Sequence, residues 1–177
     1  MSRRILLKLA VAGCLSVGLA VAGTVGFAAS IRTVDMNDQC DPATFNAAIG
    51  PGTCIGNNGG VSFDTFIAEL SRTEHAGAWH FAPGVVQVLD DEAFQGRNTG
   101  GEFHTFTEVD EFGGGFVPLL NLLSGNPEPA PECDPAANPE INFVPPGGVS
   151  DPKVEKPGVH HYQCCIHPWM RTDVIVR

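Results

Sequence analysis

Cys164-Cys165-Ile166-His167-Pro168-Trp169-Met170 sets a thiolate, an imidazole and a thioether in one seven-residue stretch near the C-terminal end of the chain. The spacing is Cys164-x2-His167-x2-Met170. Donors of falling strength in this combination suit a trigonal copper site, where two His and one Cys bind closely and a Met binds weakly along the axis. Thiolate and thioether are soft enough for Cu(I), and imidazole also accepts Cu(II). The stretch lacks a second His, which has to come from elsewhere in the chain.

Outward from this turn the chain reads as short β-type runs divided by Gly and Pro. Gly158 opens a strand over Val159–Cys164, and Thr172–Val176 closes the chain. Upstream, Trp79 and Phe81 alternate with His80, and Pro83-Gly84 turns into Val85–Val88. Ala93–Asn98 and Phe103–Val109 are further runs. Residues 110–157 are loop-rich, with Gly113-Gly114-Gly115, a helical piece at Val117–Leu123, a Pro-rich stretch from Pro127 to Pro157 and a strand candidate at Ile141–Val144. Nearer the N-terminus, Asp41 can cap a short helix begun by Pro42. Ser62 can cap a second, with Phe63, Phe66, Ile67 and Leu70 on one face. Several short strands at regular spacing indicate an all-β Greek-key sandwich.

Tyr162-Gln163-Cys164-Cys165-Ile166-His167-Pro168-Trp169-Met170-Arg171, followed by Thr172–Val176, resembles the C-terminal ligand loop of small cupredoxins. The likeness is to plastocyanin- and amicyanin-type proteins with a short Cys-x2-His-Pro-aromatic-Met loop. Asn98-Thr99-Gly100-Gly101-Glu102-Phe103-His104-Thr105-Phe106 resembles the family's other ligand loop, in which an Asn stands six positions before the first His. The resemblance spans roughly residues 78–109 and 158–177, including the Phe81-x-Pro83 and Val86-x-Val88 strands. It implies a cupredoxin-like sandwich at 78–177 with an insertion at about 110–157, preceded by an extension over 29–77 with a disulfide loop and short helices. It also implies one type 1 copper held by His104, Cys164, His167 and the weak axial Met170. Asn98 would bond the Cys loop and tie the two ligand loops together, orienting the ligands from behind. Pro168 and Trp169 would form part of an apolar docking patch beside a near-surface His167.

Taken singly, His104 reads as an ordinary histidine and Met170 as core; the joint pattern is what points to copper. Zinc is the competing metal, but thioether is a poor zinc ligand and structural zinc prefers tetrahedral Cys and His sets. Adjacent cysteines do not suit a binuclear copper centre. Between them, Cys164 is the expected ligand: it shares a strand face with Tyr162, and the resemblance implies two residues between the Cys and His167. His75, His80, His160 and His161 read as surface residues.

The first 28 residues read as an export leader. Ser2-Arg3-Arg4-Ile5-Leu6-Leu7-Lys8 has a twin-arginine pattern, an apolar run follows to Phe27, and Gly26 and Ala28 offer a small-x-small cleavage site. The same run is long enough for a retained membrane anchor, and Val11-Ala12-Gly13-Cys14 resembles a lipoprotein box. Cleavage to an exported, periplasmic or extracellular protein is the expectation. Removing Arg3, Arg4 and Lys8 with the leader leaves 7 basic against 20 acidic residues, a formal charge of −13. Such a field disfavours nucleic acid and anionic lipid and favours redox partners with a basic docking surface; simple solubility would explain it equally.

Cys14 leaves with the leader, so Cys40, Cys54, Cys133, Cys164 and Cys165 remain. With Cys164 on the metal, four cysteines are left for two disulfides in an oxidising compartment. Cys40 and Cys54 bracket a short loop and are expected to pair. Cys133 and Cys165 then pair, pinning the insertion over the sandwich. The expected function is single-electron transfer between redox proteins, with copper delivery or storage as the alternative. No enzymatic activity is expected, because four protein ligands leave no open position for substrate.

Overall fold

Residues that alternate in hydropathy with period two form the strands, each turning one set of side chains to a shared core. A computed structural model describes residues 31–56, 60–139 and 141–177; the leader assigned to residues 1–28 lies outside them. The strands are β1 (Arg32–Asn37), β2 (His80–Ala82), β3 (Val85–Val88), β4 (Phe94–Asn98), β5 (His104–Thr105), β6 (Thr107–Val109), β7 (Phe143–Val144), β8 (Gly158–Gln163) and β9 (Arg171–Val176). The helices are α1 (Pro42–Ala48), α2 (Phe63–Thr73) and α3 (Pro118–Leu123). One sheet has the order β2-β1-β4 and the other β3-β9-β8-β6, with β5 and β7 paired at one end. Pairs β1·β4 and β3·β9 are parallel, and β1·β2, β6·β8 and β8·β9 are antiparallel. The fold is a cupredoxin-like β-sandwich.

Between the sheets lie Val34, Met36, Phe81, Val86, Phe94, Phe106, Tyr162 and Val174 in one core cluster. Tyr162 stacks on Phe106 with centroids 4.6 Å apart and meets the edge of Phe94 at 5.3 Å. The sequence reading places residues 29–77 outside the sandwich. The structure corrects this: β1 is the central strand of its sheet, and Val34 and Met36 are fully buried. Two inward apolar residues among polar neighbours make a faint period-two signal, and the partners that complete the sheet lie more than forty residues away.

The two N-terminal helices form where their caps predict. Asp41 accepts from the Thr44 N–H at 3.0 Å, with Pro42 in the first turn. Ser62 accepts from the Thr65 N–H at 3.2 Å. Their buried faces close one end of the sandwich: Phe45 stacks on Trp79 at 5.6 Å, and Phe66 lies 4.6 Å from Trp79 and 5.9 Å from Trp169. The insertion folds back onto the other flank of the ligand turn. Cys133 is bonded to Cys165, and Cys40 to Cys54, as expected. Beside the Cys133–Cys165 bond, the Phe116 N–H donates to the Cys165 carbonyl at 2.9 Å, and Gly113 donates to Gln163 at 3.0 Å. Strand β7, also from the insertion, pairs Val144 with His104.

Candidate metal centre

Two loops converge at the helix-covered end of the sandwich. His104 begins β5, Cys164 follows β8, and His167 and Met170 occupy the turn before β9. That turn is tight because its backbone closes on itself: Cys164 N–H donates to the Met170 carbonyl at 3.0 Å, and Met170 N–H to the His167 carbonyl at 2.9 Å. His104, Cys164 and Met170 have no exposed surface, and His167 retains 3 %. The Nδ1 atoms of His104 and His167 each lie 3.8 Å from Cys164 Sγ. The three donor atoms fall within 4.8 Å of one another.

This geometry fits one metal ion. Nitrogen and sulfur donors at bond lengths of about 2.1 and about 2.3 Å, and 3.8 Å from each other, subtend about 120° at a common centre. That is the trigonal angle, and a His, His, Cys set with a nearby Met is the donor chemistry that copper takes. Cys164 is also the free cysteine among those described.

Both imidazoles are backed by carboxylates. His104 Nε2 lies 2.9 Å from Asp38 Oδ2, with both side chains fully buried. Asp38 in turn accepts from the N–H groups of Gly101 at 2.9 Å, Glu102 at 3.0 Å and Cys40 at 3.3 Å. Burial pushes the Asp38 carboxyl up, but the bond to His104 and the backbone N–H groups outweigh it and hold it at about 2. The same bond, with those to Cys164, overcomes burial at His104 and lifts it to about 9 in the metal-free protein. Burial likewise raises the Cys164 thiol, yet the hydrogen bonds and charges of the two imidazoles bring it well below its ordinary value. The Nε2 side of His104 is thus engaged by Asp38, and its Nδ1 side faces Cys164 Sγ.

His167 Nε2 lies 3.7 Å from Glu102 Oε2, and the same oxygen accepts from the Trp79 indole N–H at 2.6 Å. Burial raises the Glu102 carboxyl, opposed by the charge of His167 and the indole bond.

Asn98 is buried, six positions before His104, but its bonds differ from the expectation. Its side-chain amide donates to the carbonyls of Glu102 at 2.7 Å and Val144 at 2.9 Å, and its oxygen accepts from Gly100. Asn98 shapes its own loop and anchors β7. The tie between the two ligand loops is made by Thr105 instead. Its N–H points to Cys164 Sγ at 3.4 Å, and its hydroxyl accepts from the Cys165 N–H at 2.7 Å.

The docking patch is also corrected. Pro168 and Trp169 are buried, the latter at 6 % exposure, with its indole N–H on the Trp79 carbonyl at 3.2 Å. Helix α2 packs over Trp169, so the surface presented at this end is that of the N-terminal helices and α3. The remaining histidines take other partners: His160 meets Glu108 and His161 meets Asp173, each at 2.7 Å, while exposed His75 and His80 bond nearby backbone carbonyls.

Asp38, Glu102 and Thr105 are the site residues that sequence reasoning missed. Asp38 is 66 residues from its histidine, with no local motif to mark it. A signal did exist in Gly100-Gly101: a Cβ on Gly100 would strike the Asp38 carboxylate, and one on Gly101 would crowd the Cys40–Cys54 bond. Paired glycines before a ligand loop record the close approach of another chain segment.

No protein-family model matches the chain, and no curated protein matches it at a significant level. Among solved structures, a purple cupredoxin from Nitrosopumilus maritimus is similar at 14 % identity and a TM-score of 0.45, over 82 % of this chain and 99 % of that one. Plastocyanin from Dryopteris crassirhizoma has 16 % identity and a TM-score of 0.39 over the same shares. Amicyanin from Paracoccus versutus has 17 % identity and a TM-score of 0.36, over 55 % of this chain and 73 % of its own. In its own strand order and in the placing of the loops that carry His104 and Cys164, the chain is cupredoxin-like in fold.

Proposed function

We propose that this is an exported mononuclear copper protein that carries single electrons between redox partners. His104, Cys164 and His167 are its close ligands, and Met170 the weak axial one. The observation that carries this reading is the buried trigonal cluster, with both Nδ1 atoms 3.8 Å from Cys164 Sγ. Copper bound there supplies reversible one-electron chemistry. The protein's part is to keep the donors still. Asp38 orients His104, Thr105 and the Cys133–Cys165 bond brace the Cys164 turn from behind, and the aromatic faces of α1 and α2 pack over Trp79 and Trp169. A donor set held in place between two oxidation states reorganises little as an electron passes.

The burial of all four ligands favours a carrier over a delivery protein, which needs its ion accessible to exchange. Four protein ligands also leave no open position for substrate, so the reading is of a non-enzymatic protein. Its electrons come from or go to partners outside the cytoplasm, and the acidic composition favours basic ones.

The test is the visible spectrum of the copper-loaded protein, in which a thiolate-to-Cu(II) band is expected. Cys164→Ala should abolish it, and Met170→Leu should keep the colour while shifting the potential. A coloured Cys164→Ala protein, with colour lost in Cys165→Ala, would refute the ligand assignment.

A further inference from the structure

Helices α1, α2 and α3 do more than cover the metal end. They enclose a cavity of about 320 Å³ whose wall includes Phe45, Phe63, Phe66 and Leu120 and whose polar lining includes Glu102 and His167. Ile49 and Leu119, 58 % and 57 % exposed, stand among its lining. With Pro168 and Trp169 buried, this cavity offers an approach to His167. An apolar cavity of about 150 Å³ already admits benzene, so one aromatic ring fits with room to spare, whereas a folded partner does not.

The lining selects the chemistry of the occupant. Phe45 meets Phe63 edge-on at 5.3 Å and Phe66 at 5.5 Å, so the wall offers both edges and faces to a further ring. Glu102 is the one carboxylate in the lining, and a carboxylate facing apolar walls is costly unless donors reach it. Trp79 supplies one donor, to Oε2, which leaves acceptor capacity for another. We propose that the cavity binds a small aromatic alcohol of the phenol class, its ring among the three phenylalanines and its hydroxyl donating to Glu102. Bound there, the molecule lies beside the imidazole of His167. The proposal stands on the cavity and holds with or without copper in the site.

Phenol and toluene, which share the ring and differ in the hydroxyl, are the probes, titrated into the isotope-labelled metal-free protein. Phenol should shift the amide signals of Ile67, Leu120 and Ile166 saturably, with half-saturation at about 1 mM for so small a ligand. Toluene should bind at the same signals about tenfold more weakly. Glu102→Gln should narrow that gap while leaving toluene unaffected, and Leu120→Trp should remove both by filling the space. Absence of saturable shifts, shifts centred elsewhere, or equal affinity for the two probes would each overturn the proposal. The phenol–toluene comparison needs no variant, so it decides the question even if Leu120→Trp does not fold. The copper reading fails separately, on colour.

Discussion

At the scale of single residues, Asp38 backs the candidate ligand His104. It holds the far nitrogen of His104 at 2.9 Å from a position with no exposure to water. Removing its charge should make the oxidised, more positive metal less favoured. Asp38→Asn is therefore expected to raise the reduction potential, by about 59 mV for each tenfold change in the redox equilibrium. A potential unchanged within a few millivolts would show that the carboxylate only positions the ring. The same residue sets an acid limit on the metal-free protein. Its folded value of about 2 lies below the ordinary 3.8, so its contribution is complete above about pH 4 and is lost as the pH falls toward 2. That amounts to about 2 kcal/mol. Urea titrations from pH 5 to pH 2 should show a flatter acid decline in Asp38→Asn than in the parent. Glu102, raised rather than lowered, acts in the opposite sense.

At the scale of elements, the insertion is fastened where the ligand turn needs support. The Cys133–Cys165 bond spans 32 residues and ends next to Cys164, the proposed thiolate ligand. On the chain-entropy model a loop of this length contributes about 3–4 kcal/mol. The double variant Cys133→Ala/Cys165→Ala should lose about that much in urea unfolding and should hold metal less tightly, while keeping its colour. A loss under about 1 kcal/mol would mean that the hydrogen bonds of residues 113–116 hold the insertion unaided. Gly115 offers an independent check, since a Cβ there would collide with the Cys165 carbonyl. Gly115→Ala should destabilise the fold by about 1–3 kcal/mol, as overpacking does, without removing any bond. Helix α2 is the matching support on the other flank. Phe66→Ala, at 2 % exposure, should cost about 3–5 kcal/mol and uncover Trp169.

At the scale of the whole molecule, the proposed export would leave a strongly acidic chain, and the charge then bears on its encounters. Docking to a basic redox protein should slow steeply with salt, because the Debye length falls from about 10 Å at 0.1 M to about 3 Å at 1 M. Stopped-flow electron transfer across that range reads it directly. A rate independent of ionic strength would place recognition on the exposed apolar residues of α1 and α3 instead. The sandwich also sets how far apart in sequence the parts of one site can lie. Asp38, His104 and Cys164 come from three segments separated by 66 and 60 residues.

The sequence by itself determined what is local. Cys164-x2-His167-x2-Met170 named its donors because a tight turn needs them at fixed spacing. Asp41 and Ser62 named two helix starts because a cap acts within three residues. The odd count of cysteines beyond the expected leader singled out one thiol and led to both disulfides. Only the tertiary structure decided what lies behind and above the ligands. Strand β1 was hidden because its two inward residues gain meaning from strands far along the chain. Asp38 and Thr105 were hidden because a hydrogen bond between distant segments leaves no spacing to read. Pro168 and Trp169, apolar at the tip of a loop, suggested an exposed patch by composition alone. Helix α2 covers Trp169 because burying aromatic faces against one another stabilises both, and which face meets which is settled by packing.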